Sequence, residues 1–217
     1  MTMPMRFANM LFILLLLPVT QVSASDLNSD IAALQSEWAR IKYQSSPKDQ
    51  KQQFEALAAK AQAVTARYSD NAEPLIWEGI ILSTWGGAKG GLGALSLVKK
   101  SRDRLEQALE IDPLALNGSA YTSLGTLYFK VPGWPIGFGD TDKAEALLKK
   151  ALDINPDGID PNFFYGEFLY EEDRYPESVA VLSHALQAPA RPARPIADAG
   201  RRAEIEQLLA KARKHIE

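Results

Sequence analysis

The chain has no cysteine in its 217 residues, so no disulfide can brace it and no thiol is available for acylation at an export site. Stability must come from packing alone. Histidine is nearly as scarce. His184 and His215 fall on expected helices with no second histidine or carboxylate at ligand spacing, which leaves neither a metal site nor a nucleophilic triad to propose. Charge of one sign is missing as well: 24 Lys and Arg stand against 27 Asp and Glu, a formal net charge of −3 with no basic stripe, so no nucleic-acid partner is advertised. Nor is there an apolar run of the ~20 residues that a spanning helix needs.

The longest apolar run, Phe7 to Leu17, follows Arg6, ends at Pro18 and precedes the small-residue triplet Val22-Ser23-Ala24. That order is the layout of a cleaved export signal. The expectation is cleavage after Ala24, a mature chain starting at Ser25, and a periplasmic or secreted location without a membrane anchor. The expected divisions are a signal over residues 1–24, a helical domain over 25–189, and a linker with a final helix over 190–217.

From there the chain reads as helices throughout. Leu27, Ile31, Leu34, Trp38 and Ile41 step by four and three, and so do Phe54, Leu57, Ala58, Ala61 and Val64 after the Ser45-Ser46-Pro47 break, where Ser46 is the expected cap. A second pair begins at Pro74, carries Ile76, Trp77, Gly79 and Ile80, crosses the glycine-rich Gly86–Gly93 segment, and returns through Leu97, Leu105, Ala108 and Leu109 to Asp112-Pro113. The fourth pair starts at Asp160-Pro161, carries Phe164, Tyr165, Gly166, Phe168 and Leu169, turns at Arg174-Tyr175-Pro176, and returns through Leu182 and Ala185. Three prolines over 189–195 make a stiff linker. The last helix puts Ile205, Leu208, Leu209 and Ala212 on one face, as a capping unit would.

The third pair carries the clearest signature. Tyr121, Leu124, Gly125 and Tyr128 share one face of its first helix, Ala144, Leu148 and Ala151 share one face of its second, and Pro156 ends it. This order resembles the tetratricopeptide repeat. Ala151 and Ala185 lie 34 residues apart, the period of that family, whereas Ala108 and Ala151 lie 43 apart. From the glycine of the first helix to the alanine of the second, Gly166 to Ala185 spans 19 residues, Gly125 to Ala151 spans 26 and Gly79 to Ala108 spans 29, so the extra residues sit between the two helices of a pair, at Val131–Asp140 and at Gly86–Gly93. Both insertions should therefore leave the same edge of the stack. The resemblance implies an all-α solenoid of about nine helices with loop insertions and a C-terminal capping helix.

Two motifs look like chemistry and are not. Asp153 to Gly158 matches the opening of a calcium loop, but Phe164 stands where a bidentate Glu is required. The Gly86–Gly93 segment lacks the G-x4-G-K-[ST] order of a phosphate loop and reads as a flexible insertion. The segment VPGWPIGFGD is different. Its prolines and glycines forbid regular structure, while Val131, Trp134, Ile136 and Phe138 are too apolar for an ordinary solvated loop. It either plugs the groove between repeats or walls a ligand pocket; the mixed expectation is that Phe138 packs down beside Leu147 while Trp134 faces the groove with Phe129 and Phe163.

The PGWPIGFGD insertion together with the export signal resembles the T component associated with tripartite ATP-independent periplasmic (TRAP) transporters. That resemblance implies a non-enzymatic binding or adaptor protein with no cofactor, working beside a solute-binding protein or handling a hydrophobic small molecule. The alternative is a general protein-interaction scaffold in envelope assembly. Carrying over the repeat family's concave positions yields Ile76, Ile80 and Ser83 from the second pair, Thr122, Thr126 and Phe129 from the third, and Phe163, Glu167 and Tyr170 from the fourth; with Trp85 and the loop's Trp134 and Phe138, the candidate binding residues are Ile76, Ile80, Trp85, Thr126, Phe129, Trp134, Phe138, Phe163, Glu167 and Tyr170.

Overall fold

The computed structural model describes residues 24–216. The expected signal up to Ser23 lies outside the described residues. Among these, nine helices follow in order: α1 Ala24–Gln44, α2 Pro47–Arg67, α3 Ala72–Lys89, α4 Gly91–Ile111, α5 Ala115–Lys130, α6 Thr141–Ile154, α7 Ile159–Glu171, α8 Tyr175–Ala185 and α9 Pro195–Arg213. The first eight pair as four helical hairpins stacked side by side, an all-α repeat solenoid. None of the described helices is long and apolar enough to cross a membrane.

Three hairpins are built around one repeated contact. A Cβ added to Gly79, Gly125 or Gly166 would lie 2.7, 2.7 and 2.6 Å from Cγ of Leu105, Leu148 and Leu182 respectively. Each of those leucines is fully buried. Only a residue without a side chain lets the two helices meet so closely. One turn earlier on the second helix stands a small residue: Ser101 Oγ donates to the Gly79 carbonyl at 2.6 Å and Ser178 Oγ to that of Gly166 at 2.8 Å. Ala144 takes this place in the third hairpin. The small-x3-Leu-x2-Ala register is thus common to α4, α6 and α8, and the two serines in it are a regularity that the sequence reading missed.

Turns follow local chemistry. Asp140 caps α6 through Oδ1, which accepts the Lys143 amide at 2.9 Å. At Ser46 the expected cap takes another form, since its hydroxyl donates to Asp49 at 2.7 Å instead of accepting an amide. Leu116, Asn117 and Gly118 all adopt left-handed φ, at 49°, 54° and 74°, so regular α5 starts near Ser119.

The glycine-rich segment corrects the expectation of a flexible insertion. It is helical on both sides of Gly90: α3 and α4 run 18 and 21 residues, where α7 and α8 run 13 and 11. Only Gly90 and Gly91 take positive φ, enough to reverse the chain. The extended helices satisfy their own backbone groups, and Gly86 lets them approach, its position lying 3.1 Å from Val98 Cγ1 for an added Cβ.

The last helix does more than cap α8. Each odd-numbered helix touches the next, and α9 packs on α7 and also on α1, so the inward helices close into a ring. Ala197 joins the first core cluster, around Leu34, Trp38 and Trp77, while Ile205 and Leu209 join the last, around Ile159, Phe163 and Leu182.

Candidate functional site

The inner surface is occupied where it was expected to be open. Arg201, on α9, is 6% exposed and its guanidinium lies 4.2 and 4.6 Å from the ring centres of Phe163 and Phe164. Its Nε donates to Asp160 Oδ1 at 2.9 Å and its Nη1 to Glu204 at 2.8 Å. Arg191 Nη1 donates to the other Asp160 oxygen at 2.7 Å, and its Nε to Asp198 at 2.6 Å. Burial by itself would push the Asp160 carboxyl up, but Arg201, Arg191 and Arg194 outweigh it and hold the group far below the usual carboxylate range. The ring closes on α1 where Tyr43 Oη donates to Glu204 at 3.0 Å, and the linker joins α3 where the Arg194 guanidinium lies 5.3 Å from the centre of the Trp77 ring. Outside this joint is an open crevice of about 530 Å³ lined by Tyr43, Gln44, Pro195, Ile196, Ala199 and Gly200 among others. Arg191 and Arg201 are therefore the fastening of α9 and its linker to the inner face.

Most of the candidate concave residues are engaged in packing. Ile76 is fully buried, and Ile80 sits between two core clusters. Trp85 is half-buried with Lys89 over its ring at 5.2 Å. Thr126 donates to the Thr122 carbonyl at 2.8 Å. Phe129 meets Phe168 edge-on at 5.7 Å, and Glu167 pairs with Lys130 at 3.0 Å. Tyr170 packs edge-on against Tyr175 and His215.

The Val131–Asp140 loop departs from both readings of Trp134. Trp134 is 90% exposed and Ile136 67% exposed, so Trp134 neither plugs a groove nor joins Phe129 and Phe163, whose ring contacts are made elsewhere. Phe138 is the anchor, as expected, though its ring contacts come from α5 and α4: Tyr128 lies edge-on at 5.4 Å and the Arg102 guanidinium is 4.8 Å from its centre. Leu147 belongs to the same cluster.

The loop backbone is pinned. Gly139 N donates to Pro132 O at 3.0 Å, Gly137 N to Gly133 O at 3.1 Å and Asp140 N to Tyr128 O at 2.9 Å. Gly139 passes so close to the Val131 carbonyl that no Cβ fits there. The Trp134–Pro135 peptide is cis. A firmly held base thus carries Trp134, Pro135 and Ile136 outward as an apolar tip. Among the described residues no cluster of histidine, aspartate and glutamate is arranged to hold a metal ion.

Residues 136–194 match the tetratricopeptide repeat family, a span from the loop tip through the fourth hairpin into the linker. No curated protein matches the chain. Among solved structures, one described as "Functional Characterization of Pseudomonas Aeruginosa pilF" aligns over 86% of this chain and 90% of its own, at 14% identity and a TM-score of 0.36.

Proposed function

We propose that this protein is a binding module, not an enzyme, which docks a protein partner through the apolar tip of the Val131–Asp140 loop. The observation that carries this reading is the exposure of Trp134 and Ile136 on a backbone held by its own hydrogen bonds. Free energy falls when large apolar side chains leave water, and a tip that is already ordered gives up little conformational entropy on binding. Tryptophan is also the side chain most enriched at binding hot spots. The tetratricopeptide match over 136–194 supports an interaction scaffold.

The finer reading is an exported adaptor of the T-component type, with a periplasmic solute-binding protein as the partner. It is supported by the PGWPIGFGD segment and by the signal pattern over residues 1–24. A hydrophobic small molecule on the inner face is less favoured, because Arg201 and its partners occupy the part of that face formed by Phe163 and Phe164.

The test is a photoreactive residue in place of Trp134, compared with the same residue in place of the exposed Ala210 on α9. The expected result is a discrete protein adduct from position 134 that position 210 does not form. Equal labelling from both positions overturns the reading.

A further inference from the structure

The surroundings of the tip carry charges of opposite sign on its two sides. Toward the fourth hairpin, Lys130, the last residue before the loop, is bonded to Glu167 and Glu171 of α7. Arg174, in the α7–α8 turn, pairs with Glu145 of α6 at 2.7 Å and with Glu177. These bonds bring the α7–α8 turn beside both stems of the loop and engage Lys130 and Arg174, while Lys143, next to Asp142, turns its ammonium to the Tyr128 hydroxyl at 2.6 Å. Four exposed carboxylates on this side, Asp140, Asp142, Glu172 and Asp173, have no cation within ion-pair distance among the described residues. On the opposite side α4 supplies Arg102, stacked on Phe138 and neutralised by Asp103 and Glu106, and the exposed Lys99, which has no ion-pair partner among the described residues, lies one helical turn nearer the edge.

We infer that the partner surface is a folded protein's apolar cleft, basic along the rim that meets Glu172 and Asp142 and acidic along the rim that meets Lys99. This rests on the docking role proposed for the loop and adds the partner's chemistry. An anionic bilayer would be repelled by the carboxylate side of the tip, since such surfaces attract basic segments. A second copy meeting tip to tip is undersized: Trp134 and Ile136 together offer on the order of 300 to 400 Å², against the roughly 800 Å² that each side of a stable interface contributes. The charged rims supply the remaining contact. Because their signs differ, they also set the orientation in which the wedge enters.

The experiment uses the full chain with photoreactive benzoylphenylalanine at Ile136, expressed in its own cells, followed by zero-length carbodiimide joining of carboxylates to amines. The expected result is one partner protein in both adducts, with Glu172 or Asp142 joined to a partner lysine and Lys99 to a partner carboxylate. The double variant Glu172→Lys, Asp142→Lys, at two positions with no bonded side-chain partner, should lower the photo-adduct about tenfold at low salt, with the gap closing as salt screens the rims. An unchanged yield in that variant overturns the charged-cleft inference and leaves the docking role standing. An adduct with phosphatidylglycerol vesicles or with a second copy of the chain overturns it in favour of a bilayer or self-association. No adduct at all from position 136 overturns the docking role and this inference with it.

Discussion

Gly125→Ala should destabilise the protein, while the chemically identical Gly87→Ala should stabilise it. Both glycines are helical, so each substitution gains the intrinsic helix preference of alanine, about 0.8 to 1 kcal/mol. At Gly87 nothing lies within 4 Å of the added Cβ, and the gain stands. At Gly125 the new Cβ would lie 2.7 Å from Leu148 Cγ, 3.0 Å from its Cδ2 and 3.2 Å from the Ala144 carbonyl. Leu148 has no exposed surface, and its Cγ is the branch point of the side chain, so α5 and α6 must part by several tenths of an ångström along their contact. Overpacking of this kind costs typically about 1 to 3 kcal/mol. With the propensity gain of about 0.8 to 1 kcal/mol set against a cost of about 1 to 3 kcal/mol, the expected net loss for Gly125→Ala runs from near zero to about 2 kcal/mol, with the middle of the range at about 1 kcal/mol, and is more for Gly125→Leu. Denaturant titration monitored by helical circular dichroism measures it, and the thermal midpoint should move by about 2 to 4 °C for each kcal/mol in a chain of this size. Gly125→Ala above the stability of the parent chain would refute the close-approach argument, and with it the equivalence of Gly79, Gly125 and Gly166.

The other predictions concern charge and the loop. Trp134→Ser should shift stability by less than about 0.5 kcal/mol, because the ring is 90% exposed; a fall of several degrees in the melting curve would mean that the ring packs. Asp160→Asn should cost about 2 to 4 kcal/mol, since it leaves the buried Arg201 with Glu204 as its one remaining carboxylate and takes the charge from Arg191 as well, and a double-mutant cycle with Arg201→Met should recover part of that loss. Hydrogen bonds from Arg174 and Lys149 lower the Glu145 carboxyl to about 2, so its contribution is complete above the ordinary carboxylate range and is lost as pH falls from there toward 2. Glu145→Gln should therefore flatten that part of the acid-unfolding curve, and an unaltered acid limb would count against the pairing.

Much of the helical framework was legible because its signals are local. The three- and four-residue spacing of Leu27 through Ile41 shows which face is buried from one helix alone, and Pro47, Pro156 and Pro176 stop or start helices through their own rings. The hairpins are nearly as local, since Gly166 and Leu182 meet across a single turn. At Gly86–Gly93 composition misled: glycine loosens an isolated chain, but here the same small residues admit a close helix pair with Val98 and Leu97 packed over Gly86, and packing outweighed propensity.

What remained illegible depends on residues far apart in the chain. Tyr43 and Glu204 are 161 positions apart, and nothing in either neighbourhood announces that α9 returns to α1. Arg191, Arg194 and Arg201 carry no local signal of burial, and only the fold brings Asp160, Phe163 and Trp77 against them. The Val131–Asp140 loop divides the same way. Its composition marked four apolar side chains as poorly suited to water without telling them apart, and Phe138 packs inward as expected whereas Trp134 does not. Only the tertiary structure decided that Tyr128 and Arg102 would capture Phe138 and that Trp134 would be left outside, because the direction of a side chain on an irregular backbone is fixed by what the rest of the fold places beneath it.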